Sequence, residues 1–136
     1  MVDGYADQFA DVDVDRVLDA LRLMRRASLL IRELEAYFAR HDLSQLRFLM
    51  MNLIDREPER NCLAASEIAE RLDVSRPVVT RTLQGLERAG LIAISENSED
   101  ARSRNVTLTL SGKAKLDEVL PGYFAILHRP DPAADK

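Results

Sequence analysis

The sequence has few of the residues on which many binding sites depend. It contains one cysteine, two histidines, five glycines and no tryptophan. A single cysteine excludes an internal disulfide, and so few sulfur and imidazole ligands argue against a structural zinc site. No glycine-rich phosphate loop is present, and no apolar run approaches the ~20 residues needed to cross a membrane. These absences predict a protein without a metal, a cofactor or a membrane span.

Acidic residues are concentrated at the start of the chain. The 136 residues carry a formal net charge of -4, and 31% of them are charged. Asp3, Asp7, Asp11, Asp13 and Asp15 lie among the first 15 residues, which contain no lysine or arginine. This is the reverse of the positively charged start of a secretory signal peptide, so we expect a cytoplasmic protein. The remainder of the chain is close to neutral, and its partners depend on where its arginines lie.

A helical pattern covers residues 12–40. Apolar residues recur there at steps of three and four, and neither proline nor glycine interrupts them. Because they occupy more than one side of the helix, the pattern predicts that this helix also packs against a second subunit. The predicted segments are an acidic disordered lead at 1–11 and an N-terminal dimerisation helix at 12–43. The residues expected at the interface here are Val14, Val17, Leu18 and Leu21.

Two short helices joined by a tight turn follow a helix that Ser44 is expected to cap. The first covers 64–72, and the second covers 76–89, with Pro77 in its first turn. Asp73, Val74 and Ser75 connect them, Ser75 is expected to cap the second helix, and Gly90 ends it. Two helices at this spacing are typical of a helix-turn-helix.

The hydrophobic period changes after Gly90. Short strands are predicted at 91–94 and 105–110, with Val106, Leu108 and Leu110 on one buried face. The sequence therefore predicts a mainly α protein with a small β-hairpin wing, a winged helix-turn-helix lobe at 44–110. A final helix at 111–128, capped by Thr109 or Ser111, is expected to bend or split at Pro121-Gly122. Residues 129–136 are expected to form a flexible tail.

One side of the second helix of the pair carries groups that suit DNA. Arg81 can donate two hydrogen bonds to a guanine edge, and Gln84 can pair with adenine. The free amides at the helix start suit a phosphate. An arginine stripe on an isolated helix is more often an ordinary solvated face, but its place before a predicted hairpin favours DNA contact. The stripe and its N-terminal tip consist of Ser75, Arg76, Pro77, Thr80, Arg81, Gln84 and Arg88.

The predicted wing carries charges of both signs. Arg102 and Arg104 lie at its tip, where an arginine can enter a minor groove. Asp100 is placed to orient Arg102 through a short ion pair. Glu96 and Glu99 lie nearby, so acids outnumber arginines along the hairpin, which predicts a modest contribution of the wing to DNA affinity.

With these segments in order, the chain resembles the MarR family of winged-helix transcriptional regulators. The resemblance rests on residues 43–51, 66–75, 79–92 and 100–112 and extends over about 14–120. It implies a homodimer, built from the N- and C-terminal helices, that binds a pseudo-palindromic double-stranded DNA operator. It further implies a repressor relieved by a small, often aromatic ligand.

The resemblance also assigns residues to roles. The C-terminal dimerisation residues it implies are Leu120, Tyr123, Phe124 and Leu127. The full set of expected DNA-binding residues is Ser66, Ser75, Arg76, Pro77, Thr80, Arg81, Gln84, Arg102 and Arg104, with Asp100 orienting the wing. A ligand pocket is expected among Tyr37, Phe38, Phe48 and Met51 along the first long helix.

Other interpretations stay open at this stage. Cys62 is either a redox sensor or a partly buried loop cysteine, and the second is favoured because only Arg60 is a nearby cation. The acidic wing also fits a winged-helix interaction module or antirepressor with weakened DNA binding. No nucleophile, base and orienting group occur together in a motif, so we expect no enzyme.

Overall fold

Five helices and a three-stranded sheet make up the parts of the chain that this computed structural model describes, residues 8–57, 62–96 and 104–130. This confirms the predicted winged helix-turn-helix class. The elements in chain order are α1 (Val14–Ala39), α2 (Gln45–Asp55), β1 (Leu63–Ala64), α3 (Ala65–Leu72), α4 (Arg76–Arg88), β2 (Ile92–Glu96), β3 (Arg104–Leu108) and α5 (Leu110–His128).

Side-chain caps fix where the helices begin. The Asp13 carboxylate accepts a hydrogen bond of 3.0 Å from the backbone N–H of Asp15 at the start of α1. The Ser44 hydroxyl accepts one of 3.1 Å from the N–H of Arg47, so the predicted cap of α2 is confirmed. In each case a short polar side chain satisfies a first-turn N–H that has no partner within the helix.

The sheet is antiparallel in the order β1-β3-β2. Val106 of β3 pairs with Leu63 on one side and with Ile94 on the other. The two-residue strand β1 was not predicted. The expected strand 105–110 is too long, and Leu110 does not share the buried face of Val106. Instead Thr109 caps α5, and Leu110 in the first turn is 92% exposed.

Helix α5 runs without a break through Pro121, so the predicted split is wrong. Proline removes the N–H that would bond to the carbonyl four residues earlier. That carbonyl belongs to Asp117, an exposed residue on the solvent side, where water can replace the lost partner. The helix also begins at Leu110, one residue before the predicted start at 111.

Aromatic side chains from three helices form the centre of the core. The ring centroids of Phe38 and Phe48 lie 4.7 Å apart, and those of Phe48 and Tyr123 lie 4.5 Å apart. The hydroxyl of Tyr37 donates a hydrogen bond of 2.8 Å to the carbonyl of Val119. This core joins α1 and α5 to α2, which in turn supports the helix-turn-helix.

The core occupies the place where a ligand pocket was expected. Tyr37, Phe38, Phe48 and Met51 are all buried and packed together with other core residues, because their rings and methyl groups fill the space between α1, α2 and α5. Leu120 and Tyr123, which were expected at a dimer interface, pack against the same core within the subunit.

Candidate DNA-binding surface

A tight turn sets the angle between α3 and α4. Asp73 adopts the left-handed conformation, with φ 52° and ψ 50°, which few residues other than glycine, asparagine and aspartate accept. The N–H of Val74 donates a bond of 3.1 Å to the carbonyl of Ala69, which closes the end of α3. The three-residue connection 73–75 is therefore as predicted.

The two faces of α4 separate as the sequence indicated. Val79, Leu83 and Leu86 are buried in the core. The opposite side is exposed and consists of Pro77, Thr80, Arg81, Gln84 and Arg88. Because apolar contacts hold the buried side, the polar side is presented to solvent on a rigid support. It can offer hydrogen-bond donors and acceptors to a partner along three turns.

The start of α4 leaves backbone donors available. Ser75 occupies the N-cap position, but its hydroxyl makes no capping hydrogen bond, which differs from the predicted cap. Ser75, Arg76 and Pro77 are exposed. Ser66 is also exposed, in the first turn of α3. A helix start with uncapped N–H groups and an adjacent arginine suits an anionic group such as a phosphate.

Ion pairs distinguish the arginines of this lobe. Arg71 bonds to the carboxylate of Glu57 at 2.8 Å and lies 3.6 Å from that of Glu67. Arg76, Arg81 and Arg88 form no ion pair with a carboxylate in ranges 8–57, 62–96 and 104–130. The charge of Arg71 is thus neutralised within the protein, whereas the α4 arginines remain available to a partner.

Sequence reasoning missed a further arginine beside α4. Arg47 belongs to α2, and its guanidinium lies directly over Gly85 of α4. A Cβ built on Gly85 would lie 2.4 Å from Nη2 of Arg47. The one signal in the sequence was a glycine inside a helix, where alanine is favoured.

The wing is described only near its base. Residues 92–96 pair with 104–108, and Glu96 lies opposite Arg104 in the backbone register. Arg104 begins β3. The predicted wing-tip residues Asp100 and Arg102 lie outside the described residues.

Large apolar side chains are exposed along α1 and at the end of α5. Leu23 and Met24 are 58% and 67% exposed, and Phe124 is 58% exposed. Among the predicted interface residues, Leu21 and Leu127 are also exposed, whereas Val14, Val17 and Leu18 are half-buried. The exposed part of α1 continues the apolar stripe that Leu34 and Phe38 bury further along the same helix.

Two surface cavities border these helices. One of about 550 Å³ lies between the end of α1 and the start of α2, lined by Glu35, Ala39, Leu43, Ser44, Gln45, Leu46 and Leu49. The other, of about 530 Å³, lies on α5 and is lined by Pro121, Phe124, Ala125, Leu127 and His128.

Other features bear on the remaining expectations. Within the described parts of the chain, no group of three or more histidine, cysteine or acidic residues is arranged to hold a metal ion. None of the helices described has the length and apolar character to cross a membrane. Cys62 is a free, half-buried cysteine next to β1, which confirms its predicted partial burial.

Known proteins are similar to this chain in sequence and architecture. A family model described as MarR family matches residues 41–103. The HTH-type transcriptional repressor YetL of Bacillus subtilis is 33% identical over 122 residues, which cover 89% of this chain and 72% of YetL.

Solved structures agree in fold. Sco3205, a MarR family transcriptional regulator from Streptomyces coelicolor solved in complex with DNA, has a TM-score of 0.83 at 19% identity. The match covers 91% of this chain and 81% of Sco3205. Bordetella bronchiseptica BpsR, whose DNA binding is regulated by 6-hydroxynicotinic acid, has a TM-score of 0.71 at 19% identity, over 84% of this chain and 82% of BpsR. With the exposed polar face of α4 on a winged helix-turn-helix and this relationship to YetL, the chain belongs to the MarR family of DNA-binding transcriptional regulators.

Proposed function

We propose that the protein is a homodimeric repressor that reads a specific operator with α4 in the major groove. The observation that carries this proposal is the exposed stripe of Pro77, Thr80, Arg81, Gln84 and Arg88 on a helix whose other side is buried. A helix fits the major groove, where each base pair presents a distinct pattern of donors and acceptors. Arg81 and Gln84 carry the side chains that recognise guanine and adenine.

The residues around the stripe position the helix. Ser66, Ser75 and Arg76 contact phosphates, since they lie exposed at helix starts. Arg102, oriented by Asp100, enters the adjacent minor groove, and Arg104 supports it at the wing. Residues 44–110 thus form the DNA-binding lobe, while 12–43 and 111–128 join two copies.

Dimerisation accounts for the exposed apolar side chains. Leu21, Phe124 and Leu127 are each more than a third exposed, and burial against a second copy would remove this apolar surface from water. Val14, Val17 and Leu18 extend the same surface toward the start of α1. A two-fold axis between the copies would place the two Arg81 side chains roughly 34 Å apart, one turn of DNA.

A small aromatic ligand relieves repression in this proposal. The cavity between α1 and α2 is the candidate site, because it is lined by Leu43, Leu46 and Leu49 with polar groups from Glu35, Ser44 and Gln45. BpsR offers a parallel, since an aromatic acid regulates its DNA binding. Occupancy beside the start of α2 would shift the helix that supports α4.

A salt-titrated binding assay with the protein's own upstream DNA tests the function. We expect affinity to fall steeply with salt, at a slope of about -0.9 for each neutralised phosphate. Sedimentation should show a dimer at the concentrations used. A monomer that shows no shift even at low salt would overturn the proposal and favour an interaction module.

A further inference from the structure

Gly85 is an unexpected residue in the interior of α4. Glycine is less favourable than alanine within a helix because it loses more backbone freedom. Gly85 is nevertheless buried, and a Cβ there would lie 2.4 Å from Nη2 and 3.2 Å from Cζ of Arg47. The absence of a side chain at Gly85 therefore leaves the space that the guanidinium of Arg47 occupies against α4.

The position of this guanidinium relates it to the DNA-facing stripe. Gly85 lies four residues after Arg81 and three before Arg88. At 3.6 residues per turn, it is displaced by roughly 85° around α4 from the centre of the stripe. When the stripe faces base edges, this flank faces the sugar-phosphate wall of the groove.

Arg47 has no anionic partner among the residues that the structure describes. It is half-buried, and its backbone is fixed by the hydrogen bond to Ser44. Across the described ranges, no carboxylate forms an ion pair with its guanidinium. A partly desolvated cation without a partner is unfavourable, and an apolar side chain would serve better if the position were needed only for packing.

We propose that Arg47 binds a DNA phosphate and is a DNA-contacting residue outside both the helix-turn-helix and the wing. Its planar guanidinium, held against α4 at Gly85, presents paired donors that match phosphate oxygens. This contact rests on the proposed docking of α4 in the major groove. Such a phosphate contact fixes the depth and orientation of α4 in the major groove without contributing to base recognition.

Random-sequence duplex DNA is the appropriate probe, since phosphate contacts supply most non-specific binding. The variants are Arg47→Gln, Arg47→Lys and Arg32→Gln, which removes an exposed arginine on α1 as a matched control for net charge. We expect Arg47→Gln to reduce the slope of log affinity against log salt by about 0.9 per bound subunit. Arg47→Lys and Arg32→Gln should keep the wild-type slope.

Thermal unfolding separates this role from a structural one. If Arg47 only supported the packing of α4, Arg47→Gln would lower the melting temperature and leave the salt slope unchanged. That result would overturn the proposal. Gly85→Ala should also reduce the slope, because its Cβ displaces the guanidinium. If the wild type shows no salt-dependent binding, the proposed function fails as well. If the wild type binds and the Arg47→Gln slope is unchanged, only the Arg47 contact is refuted.

Discussion

The hydroxyl of Thr109 donates a hydrogen bond of 2.6 Å to the carbonyl oxygen of Gly90. The hydroxyl oxygen of Thr109 in turn accepts a bond of 3.0 Å from the N–H of Gly112 in the first turn of α5. The N–H of Thr109 also bonds to the carbonyl of Leu91 at 3.1 Å. The Thr109 side chain therefore joins the end of α4, the helix proposed to read DNA, to the start of α5, which is proposed to form part of the dimer interface.

Removing this hydroxyl should destabilise the protein. We expect Thr109→Ala to lower the free energy of unfolding by about 1–2 kcal/mol, because it loses an N-cap and leaves the Gly90 carbonyl without this donor. Urea unfolding of Thr109→Ala and of Thr109→Ser, which keeps the hydroxyl, provides the measurement. Equal losses in the two variants would mean that the hydroxyl contributes nothing.

Two glycines near this junction should respond differently to alanine. A Cβ at Gly112 would lie 2.0 Å from the carbonyl oxygen of Leu91, a backbone atom that cannot rotate away. Gly90 has φ +76° and nothing within 4 Å of such a Cβ, so only backbone strain opposes the change. We expect Gly90→Ala to cost about 1–2 kcal/mol.

Gly112→Ala should cost more than Gly90→Ala, because overpacking forces the backbone of α5 away from Leu91. The free energies of unfolding of the two variants, measured side by side, check this order. The reverse order would show that the backbone at the start of α5 moves away from Leu91 at little energetic cost.

The bond between Tyr37 and Val119 offers a test of the α1–α5 contact. We expect Tyr37→Phe to lower the free energy of unfolding by about 0.5–1.5 kcal/mol, the usual net value of such a hydrogen bond. Tyr123→Phe is the matched control, since no hydrogen bond of its hydroxyl to a described residue is seen. A larger loss for Tyr123→Phe would contradict this assignment.

Base discrimination should depend on Arg81. We expect Arg81→Ala to reduce affinity for the operator by about 1–3 kcal/mol and affinity for random DNA far less, because a bidentate bond to guanine carries sequence information. Binding to both duplexes at one salt concentration is the measurement. Equal losses on the two duplexes would show that Arg81 contacts only phosphate.

Acid should weaken a surface cluster at the end of α1. The Lys115 ammonium, 3.2 Å from Glu118, lowers the pKa of that carboxyl below its ordinary 4.5, and His41 at 3.6 Å adds a smaller effect. A lowered pKa stabilises the folded state above pH 4.5, and this contribution is lost as the pH falls through the lowered value.

Glu118→Gln should therefore be less stable than the wild type near neutral pH and approach it in acid below pH 4.5. Denaturant midpoints of the two proteins across this range measure the difference. Glu70→Gln, which removes an exposed glutamate outside the cluster, is the control. A difference that stays constant with pH would rule out the cluster as its cause.

Local patterns predicted most of the fold and one face of the site. The exposed stripe on α4 follows from residue spacing alone, because a single helix determines which side chains share a face. The strand β1 could not be predicted in this way. Its two residues carry no alternation, and it exists only through pairing with Val106 and Asn105 far along the chain.

Contacts between distant elements account for the other differences. The alternating apolar pattern of Val106 and Leu108 continues in the sequence to Leu110. In the structure, however, Thr109 caps α5 and the strand ends before it. Phe38 and Phe48 were predicted to line a ligand pocket. In the structure their rings pack against each other and against Tyr123, between three helices. The position of Arg47 beside α4 could not be predicted from local patterns, because its neighbour Gly85 belongs to another helix.

The left-handed Asp73 limits how this lobe can respond to a signal. Only three residues connect α3 and α4, and one of them, Asp73, is held at positive φ. The connection is therefore too short and too constrained for one helix to rotate relative to the other. A force applied to either helix would therefore move both together. In the proposed dimer, a signal would change the distance between two rigid lobes rather than the shape of each.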